Sequence, residues 1–403
     1  MNADYFRTTL PPAHSSPPPR LRRNIVALGW TSLFNDTATE AAYWILPAFL
    51  TGPLGAGAAA LGWIEGLAEG CASFARLLSG WWTDRVGRRK PFVVAGYVAA
   101  NVAKPLLALA TSPLHVLAIR VSDRISKGVR TAPRDAMLAE SAEAAHRGAA
   151  FGFRQAMDSA GAVLGPLAAF LLLRRHFDLR TIFALAAIPG AVCVFLVLAV
   201  VRETGTGIRP PPHSALRTPH SALPQSFRRL LLAVGIFAIG NSSDLFLVLR
   251  AQGLGLGSYA PLLGLVFNVT YTLLAWPFGR LSDRLPRKSL LAAGYLVFAG
   301  VYAAFAWVHA AWQVWLLFAL YGGYYALTEG VMKAMVADAV EPESRGRAYG
   351  ILAAVYGALV LAASLITGQL WQRFGPALPF TLSALLALIA ASAVLTVPRG
   401  RQT

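Results

Sequence analysis

Apolar residues run along this chain in long blocks, without the short alternating patterns of a soluble sheet or the one-sided stripes of a soluble helix. Twelve blocks lie near residues 24–50, 57–82, 91–110, 113–138, 147–173, 179–201, 227–250, 258–281, 289–308, 310–338, 345–371 and 375–397. Each meets or approaches the roughly 20 residues that a helix needs to cross a bilayer. A backbone in hydrocarbon must satisfy its own hydrogen bonds, so each block predicts a transmembrane α-helix. The fourth and tenth are the most polar.

The fourth block departs furthest from the pattern. Arg120, Asp123, Arg124, Lys127, Arg130, Arg134 and Asp135 fall within an arc of about 140° on a helix of 3.6 residues per turn. The remaining face carries Val121, Ile125, Gly128, Val129 and Ala132. Each such charge turned to lipid costs about 2.5 to 3.5 kcal/mol, so the stripe is expected to face protein, water or solute. Two plainer readings stand beside a binding site: neutralisation by acids on neighbouring helices, or a position outside the bilayer.

Composition agrees with the blocks. Of 403 residues, 56% are hydrophobic and 14% charged, and the mean hydropathy is +0.53. The net charge of +17 raises the question of nucleic acid, but the basic residues sort by connection and form no patch with interleaved aromatics. Lys and Arg gather in the even-numbered connections and at both termini. The odd-numbered connections hold Arg174, Arg175, Arg180, Arg250 and Arg373. Positive charge on the inner side then places both termini in the cytoplasm.

Cys71 and Cys193 lie within apolar blocks, with no spacing that suggests a disulfide or a metal, so neither metal nor cofactor is expected. The seven histidines fall in loops or at span ends, which leaves any proton chemistry to carboxylates. Residues 1–20 read as a disordered cytoplasmic tail. Residues 203–226, Pro-rich and polar, read as a cytoplasmic linker between units at 21–202 and 227–398.

Those two units are copies. Asp84 in GWWTDRVGRRKP and Asp283 in GRLSDRLPRKSL share a G-x-x-x-D-R-x-x-R pattern, carried by Gly80, Asp84, Arg85 and Arg88 and by Gly279, Asp283, Arg284 and Arg287. DAMLAE (135–140) returns as KAMVAD (333–338), and RGAAFG (147–152) as RGRAYG (345–350). Three matches in one order indicate a repeated six-span unit. The expected fold is two pseudo-symmetric six-helix bundles with a site between them near mid-membrane.

With these motifs in view, the chain resembles the major facilitator superfamily over nearly all of residues 20–398. The phrases FNDTATE, IEGLAEGCASFARLLSGWWTDR, DRISKGVRTAPRDAMLAE and RQAMDSAGAVLGP look like a prokaryotic group of it largely without assigned substrates. The resemblance implies that spans one, four, seven and ten surround a central cavity and that the Asp-Arg loops close the cytoplasmic side. Asp84 would dock on the start of span eleven near Arg345 and Gly346, and Asp283 on the start of span five near Arg147 and Gly148, where helix N-termini favour a carboxylate. Pro286 stands where the first loop has Gly87, which implies a stiffer turn. Gly161, Gly165 and Pro166 in GAVLGP resemble, in part, the Gly-Pro motif of antiporters.

The candidate cavity residues are Asn35, Asp36 and Glu40 on span one, Asp123, Arg124, Lys127 and Arg130 on span four, Asp244 on span seven, and Glu329 with Lys333 on span ten. Asp36 and Glu40 have no base on their own helix, so Arg124 or Lys127 is their expected counter-ion. Glu65 with Glu69, and Arg154 with Asp158, are spaced as pairs whose role is structural or functional.

The leading expectation is a proton-coupled secondary transporter of small organic solutes in a prokaryotic inner membrane, working as a monomer by antiport and export. Organic anions or zwitterions are favoured, lipophilic cations stay open because Asp36, Glu40, Glu65, Glu69, Asp244 and Glu329 oppose the basic stripe, and its other partners are protons and membrane lipids. A proton-independent facilitator, an anion exchanger or uptake carrier, and a non-transporting scaffold or receptor on the same fold are the alternatives. A membrane enzyme finds no nucleophile elbow, HExxH or P-loop in the sequence.

Overall fold

The computed structural model describes residues 19–143, 146–204, 224–341 and 344–398, with backbone alone for 19–22, 80, 81, 84 and 283. The tail up to residue 18 and the linker at 205–223 lie outside the described residues. So do the side chains of Asp84 and Asp283, and with them the two expected dockings.

Twelve spans are present among the described residues, all helical. The first unit comprises Pro19–Tyr43 with Leu46–Thr51, Ala58–Val86, Lys90–Leu106, Pro113–Glu140, Arg147–Arg174, and Leu179–Leu185 with Ala187–Ala199. The second comprises Gln225–Gly240 with Leu245–Gln252, Ala260–Arg284, Arg287–Trp307, Ala311–Ala339, Arg345–Phe374 and Ala377–Leu395. Eight of the twelve are long and apolar enough to cross a membrane by length and composition. The other four are spans one, two, four and ten, each of which carries ionisable side chains.

Local chemistry explains the ends. Ser112 caps span four by accepting from the His115 amide, with Pro113 in the first turn, where its missing N–H costs nothing. Span two stops at Gly87, whose φ of 68° is left-handed. In the second unit Leu285 and Pro286, extended, join spans eight and nine with a turn one residue shorter.

The repeat is visible in contacts as well as in sequence. Arg89 pairs with Glu140 in the first unit, and Arg287 with Asp338 one repeat later. Arg147 Nε donates to the Ala139 carbonyl at 3.2 Å, and Arg345 Nε to that of Ala337 at 3.3 Å. The interiors differ: the second unit is built on aromatic rings, among them Phe237, Tyr295, Phe298, Tyr302, Tyr321 and Tyr324.

Spans two and eleven meet across the units through small residues. Gly62 lies against the Ser364 carbonyl and Gly368, and Gly368 against the Ala58 carbonyl. Spans five and eight meet where Asn268 Nδ2 donates to the Ala162 carbonyl at 3.0 Å. Gly161 and Gly165 seat span five on the span-one backbone at Leu33 and Thr37, which is what the GAVLGP motif does here.

Candidate functional site

The units close together at the end opposite the Asp-Arg loops. Span one breaks after Tyr43 and resumes at Leu46, with Pro47 in the first turn of the new helix. Trp44, in this break, lays its indole against Gly264 of span eight, where any side chain would overlap the ring. It also stands 6.1 Å from Phe267 and 6.2 Å from Phe318, ring to ring. Toward the loop-motif end, by contrast, the side chains of Glu329 and Lys333 are 42% and 61% exposed, and Lys127 is exposed as well.

Two in-register rungs join spans two and four. Arg120 grips Glu65 through Nε and Nη2 at 2.7 to 3.0 Å. One turn on, Arg124 Nε lies 3.1 Å from Glu69 Oε1. Both helices run from the closed end to the loop-motif end, so a four-residue step on one matches a four-residue step on the other. Gly128 allows the approach by lying on the Ala72 carbonyl.

A second polar network sits behind them. Arg120 Nη1 is 3.6 Å from Asp123, which faces Lys104 Nζ at 3.9 Å. Lys104, 3% exposed, donates to Oδ1 of Asn35 at 3.1 Å and of Asn101 at 3.2 Å. Asn35 Nδ2 donates to Asp36 Oδ1 at 2.9 Å. A cavity of about 10 Å³, room for about one water, adjoins Thr39, Tyr43, Lys104, Arg120 and Asp123.

In the second unit the site is acid and ring. Span seven is interrupted between Gly240 and Leu245. There Asp244 Oδ1 accepts from the Tyr321 hydroxyl at 2.6 Å, and Oδ2 from that of Tyr325 at 3.2 Å. Lys333 bonds Glu329 at 2.8 Å, and Tyr271 donates to the same carboxylate.

Some expectations are corrected by this geometry. Asp36 and Glu40 are not ion-paired with Arg124 or Lys127; Glu40 Oε2 accepts from the Trp44 indole at 2.8 Å, and Arg124 is drawn to Glu69 because spans two and four pack more closely than spans one and four. Arg154 and Asp158 do pair along span five, as their spacing suggested. Arg130 turns to the Gly96 carbonyl and stacks 4.7 Å from the Tyr97 ring centre, while Arg134 holds Asp135. Of the five bases in the span-four stripe, Lys127 is the one whose side chain has no hydrogen bond or ion pair among the described residues.

Lys104, Asn101, Tyr271 and Tyr321 belong to the networks, and no motif in the sequence marks them. A lone lysine inside an apolar block was a signal for Lys104. The tyrosines gave none, since aromatic residues in a span are usually packing. In the loop motifs, Arg287 is paired, Arg88 and Arg284 are exposed, and Gly279 has open space around it.

The sequence model described as Major Facilitator Superfamily matches residues 28–268 and 230–403. The chain belongs to the major facilitator superfamily. It is 35% identical over 381 residues to an uncharacterized MFS-type transporter of Methanocaldococcus jannaschii, covering 92% of this chain and 94% of that one. It is 25% identical over 320 residues to the multidrug resistance protein MdtH of Aeromonas hydrophila, covering 76% and 78%. Among solved structures, a POT family transporter in complex with 5-aminolevulinic acid superposes with a TM-score of 0.77 at 12% identity, covering 93% and 95%. The protein is thus a multi-pass membrane protein of a secondary-transporter family, whose members carry small-molecule substrates.

Proposed function

We propose that this transporter exchanges protons for small organic solutes by alternating access, exporting the solute from the cytoplasm across a prokaryotic inner membrane, as a monomer with both termini inside. The carrying observation is that Glu40 and Asp36, midway along span one, are held by the neutral donors Trp44 and Asn35, whereas Glu65 and Glu69 of span two have arginine partners. A carboxylate without a cation in a low-dielectric site is neutralised by a proton or by a charged ligand. Glu40 also holds the indole that fills the closed end, so a change of its charge bears on the closure.

The arginine forks expected to favour organic anions are already occupied, that of Arg120 by Glu65. Lys127 remains for an anionic group. This shifts the favoured solutes from anions toward zwitterions and cations. Partial likeness to MdtH, named as a multidrug resistance protein, supports export.

The test is reconstitution in liposomes with an imposed pH gradient and a panel of radiolabelled organic cations, zwitterions and anions. Wild-type protein is expected to move at least one class when the gradient is present and to lose the gradient dependence in Asp36→Asn with Glu40→Gln. Unchanged gradient-driven transport in that double variant would overturn the coupling.

A further inference from the structure

We propose that Asp244, with the tyrosine rings around it and the break in span seven, forms the subsite that takes a substituted ammonium group of the solute. The proposal rests on the transporter reading above and names the chemistry of its substrate.

The acids of this transporter sort into two groups. Glu65, Glu69, Asp123, Asp158 and Glu329 each lie within 4.0 Å of an arginine or lysine. Asp244 has no such partner among the described residues; its bonds come from two phenols. A carboxylate with its two oxygens offers about four lone-pair positions, and two hydroxyl donors leave acceptor capacity and the full negative charge uncompensated. The Ser243 hydroxyl, next to Asp244, is 3.5 Å from Glu65 of the first unit, so the break in span seven borders the Arg120–Glu65 pair.

The walls are rings. Phe267 stands 5.6 Å from Tyr321 and 5.1 Å from Tyr325, and Tyr321 stands 5.4 Å from Tyr325. Aromatic faces attract a poorly hydrated organic cation, whereas a metal cation would be met by a shell of oxygens. Tyr325 and Asp244 are only part-buried.

The backbone supplies an independent sign. Four residues, Asn241 to Asp244, leave the helix inside a span, which is tolerated at membrane depth where the chain is buried in protein or lines a cavity. Asn241 is 6% exposed; its Nδ2 donates to the Tyr356 hydroxyl at 2.7 Å, and its Oδ1 has no partner. An unsatisfied acceptor in the same four-residue break as an uncompensated carboxylate suits a ligand that brings N–H donors and positive charge together, that is, a protonated amine.

Purified protein in detergent is titrated with benzylamine, benzyltrimethylammonium and benzoate, following heat of binding and unfolding temperature. Both cations are expected to bind saturably and to raise the unfolding temperature, benzylamine more tightly because it alone carries N–H donors, and benzoate is not. Asp244→Asn, whose one amide oxygen still accepts from the Tyr321 hydroxyl while its NH2 group can donate to the Tyr325 oxygen, is expected to weaken the cations about 10- to 100-fold. Asp244→Glu is expected to retain most of the affinity, and Tyr325→Leu to lose more than Tyr325→Phe. Cation binding that survives Asp244→Asn, or equal binding of benzoate, overturns the subsite. Absence of cation binding to wild-type protein that still transports other solutes overturns it and leaves the transporter reading intact. Asp244-dependent binding without pH-driven transport supports the subsite and sinks the coupling.

Discussion

Arg120 closes both Nε and Nη2 on Glu65, in a bidentate pair that is almost wholly out of water. The pair joins spans four and two of one unit, and the Ser243 hydroxyl of the other unit reaches the same carboxylate.

Removing one partner of a buried pair leaves an uncompensated charge, at a cost of about 3 to 5 kcal/mol. We expect Arg120→Ala to lower the unfolding temperature of the purified protein sharply. Arg120→Met with Glu65→Met is expected to recover most of the loss. An unchanged melt in Arg120→Ala would mean that the pair contributes nothing to stability.

Two glycines on one helix should respond in opposite ways. At Gly161 an added methyl meets the Leu33 carbonyl and the span-one backbone, whereas at Gly152 nothing lies within 4 Å. Gly161→Ala is expected to destabilise by about 1 to 3 kcal/mol through overpacking. Gly152→Ala should be neutral or stabilising by up to about 1 kcal/mol, from helix propensity. Calorimetry of the two variants side by side decides this, and equal losses would refute the span-one contact.

Closure opposite the Asp-Arg loops depends on Trp44 lying flat on Gly264. In a background with Cys71→Ser and Cys193→Ala, a cysteine at Thr39 is expected to react slowly with an impermeant maleimide added from that side. Trp44→Ala or Gly264→Val should speed the reaction at least several-fold. No acceleration in either variant would place the seal elsewhere.

The repeated pairs Arg89–Glu140 and Arg287–Asp338 are partly exposed, with 21 to 49% of each side chain in solvent. Such pairs contribute about 0 to 1 kcal/mol. Arg89→Ala and Arg287→Ala are each expected to cost no more than this. They should add in the double variant, because the pairs sit in different units. A strongly non-additive melt would reveal coupling between the units.

The sequence alone determined the twelve helices, their two-fold repetition and the membrane class, because each follows from local quantities: the length of apolar blocks, the need of a buried backbone to bond itself, and recurring words along the chain. It also showed that charge runs through span four, since a helix maps spacing directly onto direction. Which acid meets which base was beyond it. Glu65 and Arg120 are distant in sequence and are joined by the close packing that Gly128 permits, and the same packing takes Arg124 away from Asp36 and Glu40. The breaks in spans one and seven were equally hidden, because Trp44 and Asp244 are seated against Gly264, Tyr321 and Tyr325 on other helices. Tertiary structure alone decided where charge is cancelled and where it is left open, since pairing energy depends on distance and burial, and neither is written in the order of residues.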